Sequence, residues 1–409
     1  MRRGKLVKLG LAGVLCLLTV AVALALWGCG GESSSETTSE SVAPATTSSA
    51  AEGEPIKIGA LLDYTGALAA YGPLFEEGIR LRLEEAGNTV AGRPIELVTA
   101  DGQSDVAPSL DQAKKLVESD KVHATIGPLL GGVQIGLGPY FQQQKIINFS
   151  LLNLEDVLIK NGNWIGYPST TYGSCMPLGY YAYEQLGYRK LATIGMDYAA
   201  GYSYIGGAAD AFKEKGGTIV QEQWVPLGTT DFATYISNIS KDADAVVLFI
   251  LGADGFVKQY HEFGVEIPML FTNATNVTFE KNLASVGSGF EGSKGTGAYT
   301  WTIDNPANKK YVDAFEEKYG RKPDEVNTVG YITTSVLLAG LEATGGDDSF
   351  DKLHAAILGL KMDTPQGPLS FTPRGVAILN EYAVEMKNVN GAYAWVVMDT
   401  FSNWTDPRY

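Results

Sequence analysis

The sequence predicts an α/β fold in which mostly parallel sheets are flanked by helices and divided between two lobes of similar plan. The stretch 56–72 contains an apolar strand, a polar turn and the start of a helix in succession. Strand-like and helix-like segments alternate from Ile56 onward, which is typical of parallel sheets with crossover helices. The turn at 63–66, Asp-Tyr-Thr-Gly, is echoed at 197–201 as Asp-Tyr-Ala-Ala-Gly. This echo indicates a second lobe that opens as the first one does.

The elements of the first lobe follow from its apolar residues and breakers. After the strand at 56–62, a helix with proline in its first turn is predicted at 72–86. Leu110, Ala113 and Leu116 share one face of the next helix. Further strands are predicted at 95–100, 123–127 and 146–149, and further helices at 108–119 and 131–144.

The second lobe is expected to repeat this alternation. Helices are predicted at 177–186, 204–215, 232–240 and 255–263, and strands at 191–195, 218–221, 245–251 and 269–272. Three helices without strong strands between them follow at 307–319, 326–344 and 350–360. Strands at 367–371, 382–387 and 394–398, with Asn390-Gly391 as a turn, complete the pattern.

The first 28 residues differ from the globular part of the chain. Four basic residues precede an uncharged apolar run at 9–27, and Gly28 stands immediately before Cys29. This pattern resembles a bacterial lipoprotein signal, so cleavage before Cys29 and lipidation of Cys29 are expected. The alternative is an uncleaved transmembrane anchor, because the apolar run could just span a bilayer. Either reading predicts that the body of the protein lies outside the cytoplasm.

The composition of the chain limits which segments can fold, which partners it can bind and whether it can form a disulfide. The segment 29–54 has too little apolar surface to offset its ordering entropy, so we predict a disordered tether. The net charge of −15 becomes about −19 without the four basic residues before Cys29, which argues against nucleic acid and anionic lipid surfaces as partners. Cys175 would be the one cysteine left in the fold, which excludes an intramolecular disulfide, and we expect it to be a buried structural residue.

Patterns typical of catalysis or metal binding have no support in this sequence. His123, His261 and His354 are scattered without metal-ligand spacing. The GxGxxG match at 287–292 follows a helix-like stretch and precedes a strand-like one, which reverses the order that dinucleotide binding requires. Ser203 lacks the glycine spacing of a nucleophile elbow. We therefore expect no catalytic residue, no metal and no cofactor.

The two echoed turns offer hydroxyl groups and aromatic faces. Tyr64 and Tyr71 follow the first strand of the first lobe, and Tyr198 and Tyr202 follow the first strand of the second lobe. Ligands bind beyond the carboxyl ends of parallel strands, and tyrosine combines apolar area with a polar tip. These tyrosines are therefore candidate residues of a cleft that closes over a small molecule.

Several stretches, taken together, resemble a known family. They are IKIGALLDYTGALAAYG, DKVHATIGP, MDYAAGYSYIGGAADAFKEKGG, ADAVVLFILGADGFVKQYHEFG and TPQGPLSFTPRG. Over residues 56–398 the chain resembles a type I periplasmic solute-binding protein of the leucine/isoleucine/valine-binding family, the receptor subunit of an ABC importer. The resemblance implies two α/β lobes, 55–171 with 301–377 and 172–300 with 378–409, and three hinge crossings near 169–174, 298–302 and 375–380.

The resemblance also implies a function. It indicates an extracytoplasmic solute-binding lipoprotein that captures a small organic ligand by hinge closure and presents it to membrane permease subunits. We expect a monomer held at the membrane by its lipid, without enzyme activity and without nucleic acid as a partner. A ligand-binding sensory receptor stays open as the alternative, because the same fold serves receptors.

Ligand identity is where the sequence departs from its relatives. Relatives that bind amino acids place hydroxyls after the third and fourth strands for the carboxylate, and an acid in the second lobe for the ammonium. Here the third-strand loop has Leu129, Leu130 and Gly131, and Asn273 stands where the acid would lie. A buried ammonium opposite a neutral amide is poorly compensated. We therefore expect a ligand other than a standard zwitterion: an aromatic or aliphatic carboxylate, an amide or another small neutral molecule.

Three further points complete the candidate site. Backbone N–H groups at the helix start after Leu130 could hold an anion. If Asp63, Asp197 or Asp254 replaces the missing acid, an amino acid again becomes the expected ligand. Ala200 stands where many relatives have a tyrosine. The candidate contacts are Tyr64, Tyr71, Leu129, Leu130, Gly131, Ser150, Leu151, Asn153, Tyr198, Ala200, Tyr202, Asn273 and Tyr299.

Overall fold

The computed structural model describes residues 53–152, 154–167 and 169–409. The predicted signal segment 1–28, the lipidation site Cys29, the tether up to residue 52 and the candidate contact Asn153 lie outside these residues. The described chain forms two β-sheets with helices packed against them, which confirms the predicted α/β class.

The first sheet is built around a buried central strand. Its strands are β1 (Ile56–Leu62), β2 (Thr89–Val90), β3 (Arg93–Asp101), β4 (Ala124–Ile126), β5 (Ile147–Phe149) and β6 (Trp164–Ile165). Their order is β2-β3-β1-β4-β5-β6, and only β2 is antiparallel to its neighbour. Ile58, Ala60, Leu61 and Leu62 are all buried, because helices cover both faces of the sheet.

The second sheet combines a parallel part with an antiparallel end. Its strands are β7 (Lys190–Met196), β8 (Thr218–Val225), β9 (Ala245–Phe249), β10 (Met269–Phe271), β11 (Lys294–Gly297), β12 (Lys361–Thr364), β13 (Gly367–Phe371), β14 (Ala377–Val389) and β15 (Ala392–Trp404). Their order is β12-β13-β14-β11-β10-β9-β7-β8, with β15 paired to β14. The strands β7 to β11 are parallel, whereas β14 is antiparallel to β11 and to β15.

Helices connect the parallel strands and extend the first half of the fold. They are α1 (Gly72–Glu85), α2 (Val106–Lys114), α3 (Gly131–Gln144), α4 (Met176–Glu184), α5 (Ala199–Glu214), α6 (Ala233–Ser237), α7 (Ala253–Glu262), α8 (Glu280–Phe290), α9 (Pro306–Tyr319), α10 (Glu325–Ala343) and α11 (Phe350–Leu358). Within the described ranges, none of them is long and apolar enough to cross a membrane.

The contact between α1 and α10 depends on two glycines. A Cβ atom at Gly78 of α1 would overlap the carbonyl oxygen of Asn327, and a Cβ at Gly330 of α10 would overlap that of Phe75. Asn327 also donates its Nδ2 to the carbonyl oxygen of Leu74 at 2.8 Å. The late helix α10 is thereby fixed against the first helix of the chain, while the later strands β14 and β15 lie in the second sheet.

Three segments lie at the crossings predicted near 169–174, 298–302 and 375–380. They follow β6, follow β11 and precede β14. The first leads from the first sheet to the second, whereas the third joins β13 to β14 within the second sheet. Gly166 and Val376, from the first and third of these segments, form an isolated parallel bridge. The exact lobe boundaries, 55–171 with 301–377 and 172–300 with 378–409, stay a prediction.

The structure differs from the sequence prediction at the start of α5. This helix begins at Ala199, before the predicted start at 204, because Gly201 lets the backbone pass close to Met196, where a Cβ would overlap a carbonyl oxygen. Tyr202 and Ser203 therefore lie in the helix and not in a turn.

The sequence does not predict the short strands β2 and β6, because two residues are too few to show the alternation of a strand. The GxGxxG match at 287–292 begins inside helix α8 and is followed by strand β11, so it lacks the strand before and the helix after that dinucleotide binding requires.

We predict that Gly330→Ala destabilises the protein. The added methyl group meets the backbone of Phe75, which cannot rotate away as a side chain could, so the helices must separate. The expected loss is about 1–3 kcal/mol in the free energy of unfolding, measured by urea denaturation. Gly132→Ala in α3 is the matched control, because nothing lies within 4 Å of its added Cβ. Equal midpoints for the two variants would contradict the close approach of α1 and α10.

Candidate ligand-binding site

A cavity of about 30 Å³, here called the inner cavity, lies between loops of the two sheets. The strands β1, β4 and β5 run parallel, as do β7, β9 and β10, so the loops after them gather at one edge of each sheet. The first-sheet side is lined by Leu68, Tyr71, Leu129, Leu130, Gly131 and Leu152. The second-sheet side is lined by Tyr198, Ala200, Tyr204, Phe249, Leu251 and Asn273.

The inner cavity is predominantly apolar, and its polar groups are neutral. Asn273 donates its Nδ2 to Tyr204 Oη at 3.3 Å, and the Tyr204 hydroxyl donates to the carbonyl oxygen of Leu152 at 3.5 Å. Burial raises the pKa of the Tyr71, Tyr198 and Tyr204 hydroxyls, so all three stay protonated at neutral pH. The residues lining this cavity include no charged side chain. The lining suits an apolar group and can hydrogen-bond a polar one, but none of the side chains that line the cavity offers a buried ammonium a counter-charge.

The start of α3 brings backbone N–H groups to this cavity. Leu130 precedes the helix with extended backbone and provides no side-chain cap, and the first N–H groups of a helix have no intrahelical acceptor. The carboxyl group of Glu155 packs against Gly131, where a Cβ would overlap its Oε1, and the Thr171 hydroxyl donates to that oxygen at 3.4 Å. Burial raises the pKa of Glu155. A buried acid therefore lies beside the helix start that was expected to hold an anion.

A larger space of about 470 Å³, here called the outer cavity, adjoins the inner one. Both are lined by Leu68, Tyr71, Leu130, Tyr198 and Leu251. The ring of Tyr71 meets that of Phe279 edge to face, with 5.0 Å between the ring centroids. Tyr71 precedes α1 and Phe279 precedes α8, so residues from both sides touch across the cleft.

Comparison with known proteins identifies the family. The model of the periplasmic binding protein family matches residues 55–391. The chain belongs to the periplasmic binding protein family. Leu/Ile/Val-binding protein homolog 6 of Brucella suis biovar 1 (strain 1330) is 28% identical to this periplasmic binding protein over 372 residues, which are 88% of this chain and 95% of that protein.

Solved structures extend the comparison. An ABC transporter substrate-binding protein from Sphaerobacter thermophilus is 28% identical with a TM-score of 0.81, and the match covers 87% of this chain and 100% of that one. A solute-binding protein of an ABC transporter from Rhodopseudomonas palustris BisB5, in complex with 3,4-dihydroxybenzoic acid, is 26% identical with a TM-score of 0.81, covering 87% and 99%. The resemblance drawn from the sequence is confirmed, and family membership places this ligand-binding protein outside the cytoplasm.

The periplasmic binding protein brings part of the predicted contact set to the inner cavity. These residues are Tyr71, Leu129, Leu130, Gly131, Tyr198, Ala200 and Asn273. Tyr202 is 46% exposed instead, and its hydroxyl donates to Asp197. The hydroxyl of Tyr64 likewise bonds to another side chain, because it donates to Glu76 at 2.6 Å.

The remaining candidates lie in the protein interior or outside the described residues. Ser150 is buried and donates its hydroxyl to the carbonyl oxygen of Ile165 at 3.2 Å. Tyr299 is buried and donates to Asn308 at 2.8 Å. Leu151 belongs to the hydrophobic core. Asn153 is not among the described residues.

Three acids could replace the acid that is missing at position 273, and their surroundings differ. Asp63 is buried and accepts the backbone N–H of Ser104 at 2.7 Å, and Asp197 accepts the Tyr202 hydroxyl. Asp254 lines the outer cavity. In the part of the chain that the structure describes, no group of three or more His, Cys, Asp and Glu side chains could hold a metal ion.

Sequence reasoning missed several lining residues. Tyr204 had a usable signal, because it lies four positions after Ala200 on α5 and residues at that spacing share a helix face. Leu68, Leu152, Phe249 and Leu251 are apolar residues of loops and a strand end, with no chemical signal to distinguish them.

Buried carboxyl groups gather where α10 begins. Glu325 is 1% exposed and accepts the hydroxyl of Thr275, which lies just after Asn273 in the chain. Glu381 in β14 is also 1% exposed. Burial raises the pKa of Glu325 to about 7 and that of Glu280 to about 8. Burial, and then the nearby charge of Glu325, raise the pKa of Glu381 well above its ordinary value.

These carboxyls predict that stability falls as the pH rises from 5 to 8. A carboxyl with a raised pKa keeps its proton in the folded state, so its contribution is complete below its ordinary pKa of 4.5 and is lost as the pH passes about 7 for Glu325. Glu325→Gln keeps a neutral side chain of similar shape and should flatten the slope, by at most about 1.4 kcal/mol per pH unit. Urea denaturation at four pH values measures the slope.

The control for this prediction is an exposed glutamate. Glu96 pairs with Lys57 at 3.7 Å on the surface, so Glu96→Gln should retain the wild-type slope. The same slope in Glu325→Gln as in the wild type would show that Glu325 does not carry the pH dependence.

Proposed function

We propose that this chain is the solute-binding lipoprotein of an ABC-type importer and captures a small organic ligand between two lobes by hinge closure. The observation that carries the proposal is the inner cavity, which is lined by loops from both sheets. A ligand seated there contacts both sides at once, so its binding energy favours the closed form. The ABC transporter proteins that this chain resembles support the assignment.

The proposal includes a lipid anchor at Cys29. The basic residues, the apolar run 9–27 and the small residue before Cys29 support it, and the polar segment 29–54 would tether the folded part to the membrane. The partners would be permease subunits in that membrane, with the binding protein acting as a monomer.

The ligand is proposed to seat an aromatic or aliphatic group in the inner cavity. Leucine, phenylalanine and tyrosine side chains form most of its lining, and the polar contacts are hydroxyls, one amide and helix N–H groups. An ammonium buried there would have no carboxylate partner among the side chains that line the cavity. The relative in complex with 3,4-dihydroxybenzoic acid supports an aromatic carboxylate.

The side chains that line the inner cavity are suited to binding a ligand and not to catalysing a reaction. The side chains that line the inner cavity include no acid, histidine, cysteine or lysine that could act as a base or nucleophile. We therefore propose that the protein releases its ligand unchanged.

A calorimetric titration tests the ligand class. The probes are 3,4-dihydroxybenzoate, leucine and a short aliphatic amide, each titrated into protein freed of any ligand carried through purification. We expect the aromatic acid to bind at least about tenfold more tightly than leucine, a difference of ~1.4 kcal/mol, because only leucine must bury an ammonium. Tight leucine binding would contradict the proposed ligand class but not the transport function.

A matched pair of tyrosine variants tests the location of the site. Tyr204→Phe removes the hydroxyl that links Asn273 to Leu152 at the inner cavity, and we expect about a tenfold loss of affinity for the best probe. Tyr202→Phe removes a hydroxyl on the same helix at an exposed position and should change affinity less than about twofold. Equal losses in the two variants would place the site elsewhere.

A further inference from the structure

The outer cavity contains a carboxylate that the inner cavity lacks. Asp254 lies in the first turn of α7, just after Leu251, which lines both cavities. It is the one charged side chain among the residues that line either cavity. A ligand that extends from the inner cavity past Leu251 would therefore meet a negative charge.

The surroundings of Asp254 leave hydrogen-bonding capacity unused. Its Oδ1 is shielded from solvent and has no hydrogen-bond partner among the described residues, and the same holds for the Thr278 hydroxyl on the opposite side of the outer cavity. An unpaired, desolvated carboxylate oxygen is costly, and a donor that enters the cavity would remove that cost.

The net charge of the whole molecule also favours a cation in the outer cavity. The net charge is −15, and neither cavity is lined by a lysine or arginine. The ammonium of Lys281 lies over the ring of Phe279, with its Nζ 5.2 Å from the ring centroid. A net negative charge and an unpaired carboxylate oxygen both favour a cation over an anion at Asp254.

We propose that the outer cavity is a subsite for a cationic amine of the ligand and that Asp254 selects that group. This inference rests on the proposed function, since it concerns the outward end of the molecule that the inner cavity holds. The ligand is then elongated: an apolar or aromatic part, with any carboxylate, contacts the inner cavity, and an amine on the far end lies against Asp254. The amine is separate from the α-ammonium that the inner cavity disfavours.

The test compares paired probes by calorimetry. The probes 4-(aminomethyl)benzoate and 4-(2-aminoethyl)benzoate are each set against the 4-methyl or 4-ethyl analogue that lacks the amine. Wild-type protein should prefer at least one amine probe over its analogue by about tenfold or more. Asp254→Asn, which keeps the shape of the side chain, should reduce that preference to less than about threefold. Glu262→Gln is the control, because it removes an exposed charge from the same helix.

Each outcome decides between the alternatives. An amine preference lost in Asp254→Asn and retained in Glu262→Gln supports the subsite. Analogues that bind as tightly as the amine probes, or a preference that survives in Asp254→Asn, overturn it and leave the proposed function intact. If no benzoate probe binds, the subsite as proposed is also wrong, and a parallel search for any small molecule retained through gentle purification decides whether the proposed function fails too.

Discussion

The close contact between α1 and α10 determines where the binding site lies. Gly78 and Gly330 let the two backbones touch, so the chain must return to the first sheet after it has built the parallel part of the second one. A return of this kind requires several connections between the sheets in place of one flexible linker. The loops at the carboxyl ends of the strands are thereby held opposite each other, and the inner cavity lies between them.

The same helix connects the fold to the ligand site. Glu325 is the first residue of α10, and its carboxyl group accepts the hydroxyl of Thr275 in the turn that begins at Asn273. Asn273 in turn donates to Tyr204, which reaches the loop after β5 through Leu152. These contacts join segments that are distant in sequence, and together they connect the cavity lining to the start of α10. The buried Glu325 carboxyl is most stable there when protonated.

The sequence predicted the architecture and about half of the inner cavity, for reasons that particular residues illustrate. The sequence predicts Tyr71 and Tyr198 as site residues because they follow strands whose apolar pattern is clear. It favours Tyr202 over Tyr204 wrongly, because α5 begins earlier than its composition indicates, which turns Tyr202 outward and Tyr204 inward. The Tyr299 hydroxyl is taken by Asn308, a partner that only the tertiary fold brings near. Side-chain partners of this kind are not encoded in local pattern.

The division of charge between the two cavities has a physical rationale. An ammonium in the inner cavity would lose its hydration among leucine and tyrosine side chains, and the Asn273 amide could not compensate for that loss. A cation at Asp254 would lie in the larger outer cavity, where it would pair with a carboxylate oxygen that is shielded from solvent and has no partner among the described residues. Placing the one acid at the outer end therefore keeps the selected cation away from the apolar lining of the inner cavity. The residue that selects the charge and the residues that bind the apolar group are then different, so each can be changed without the other.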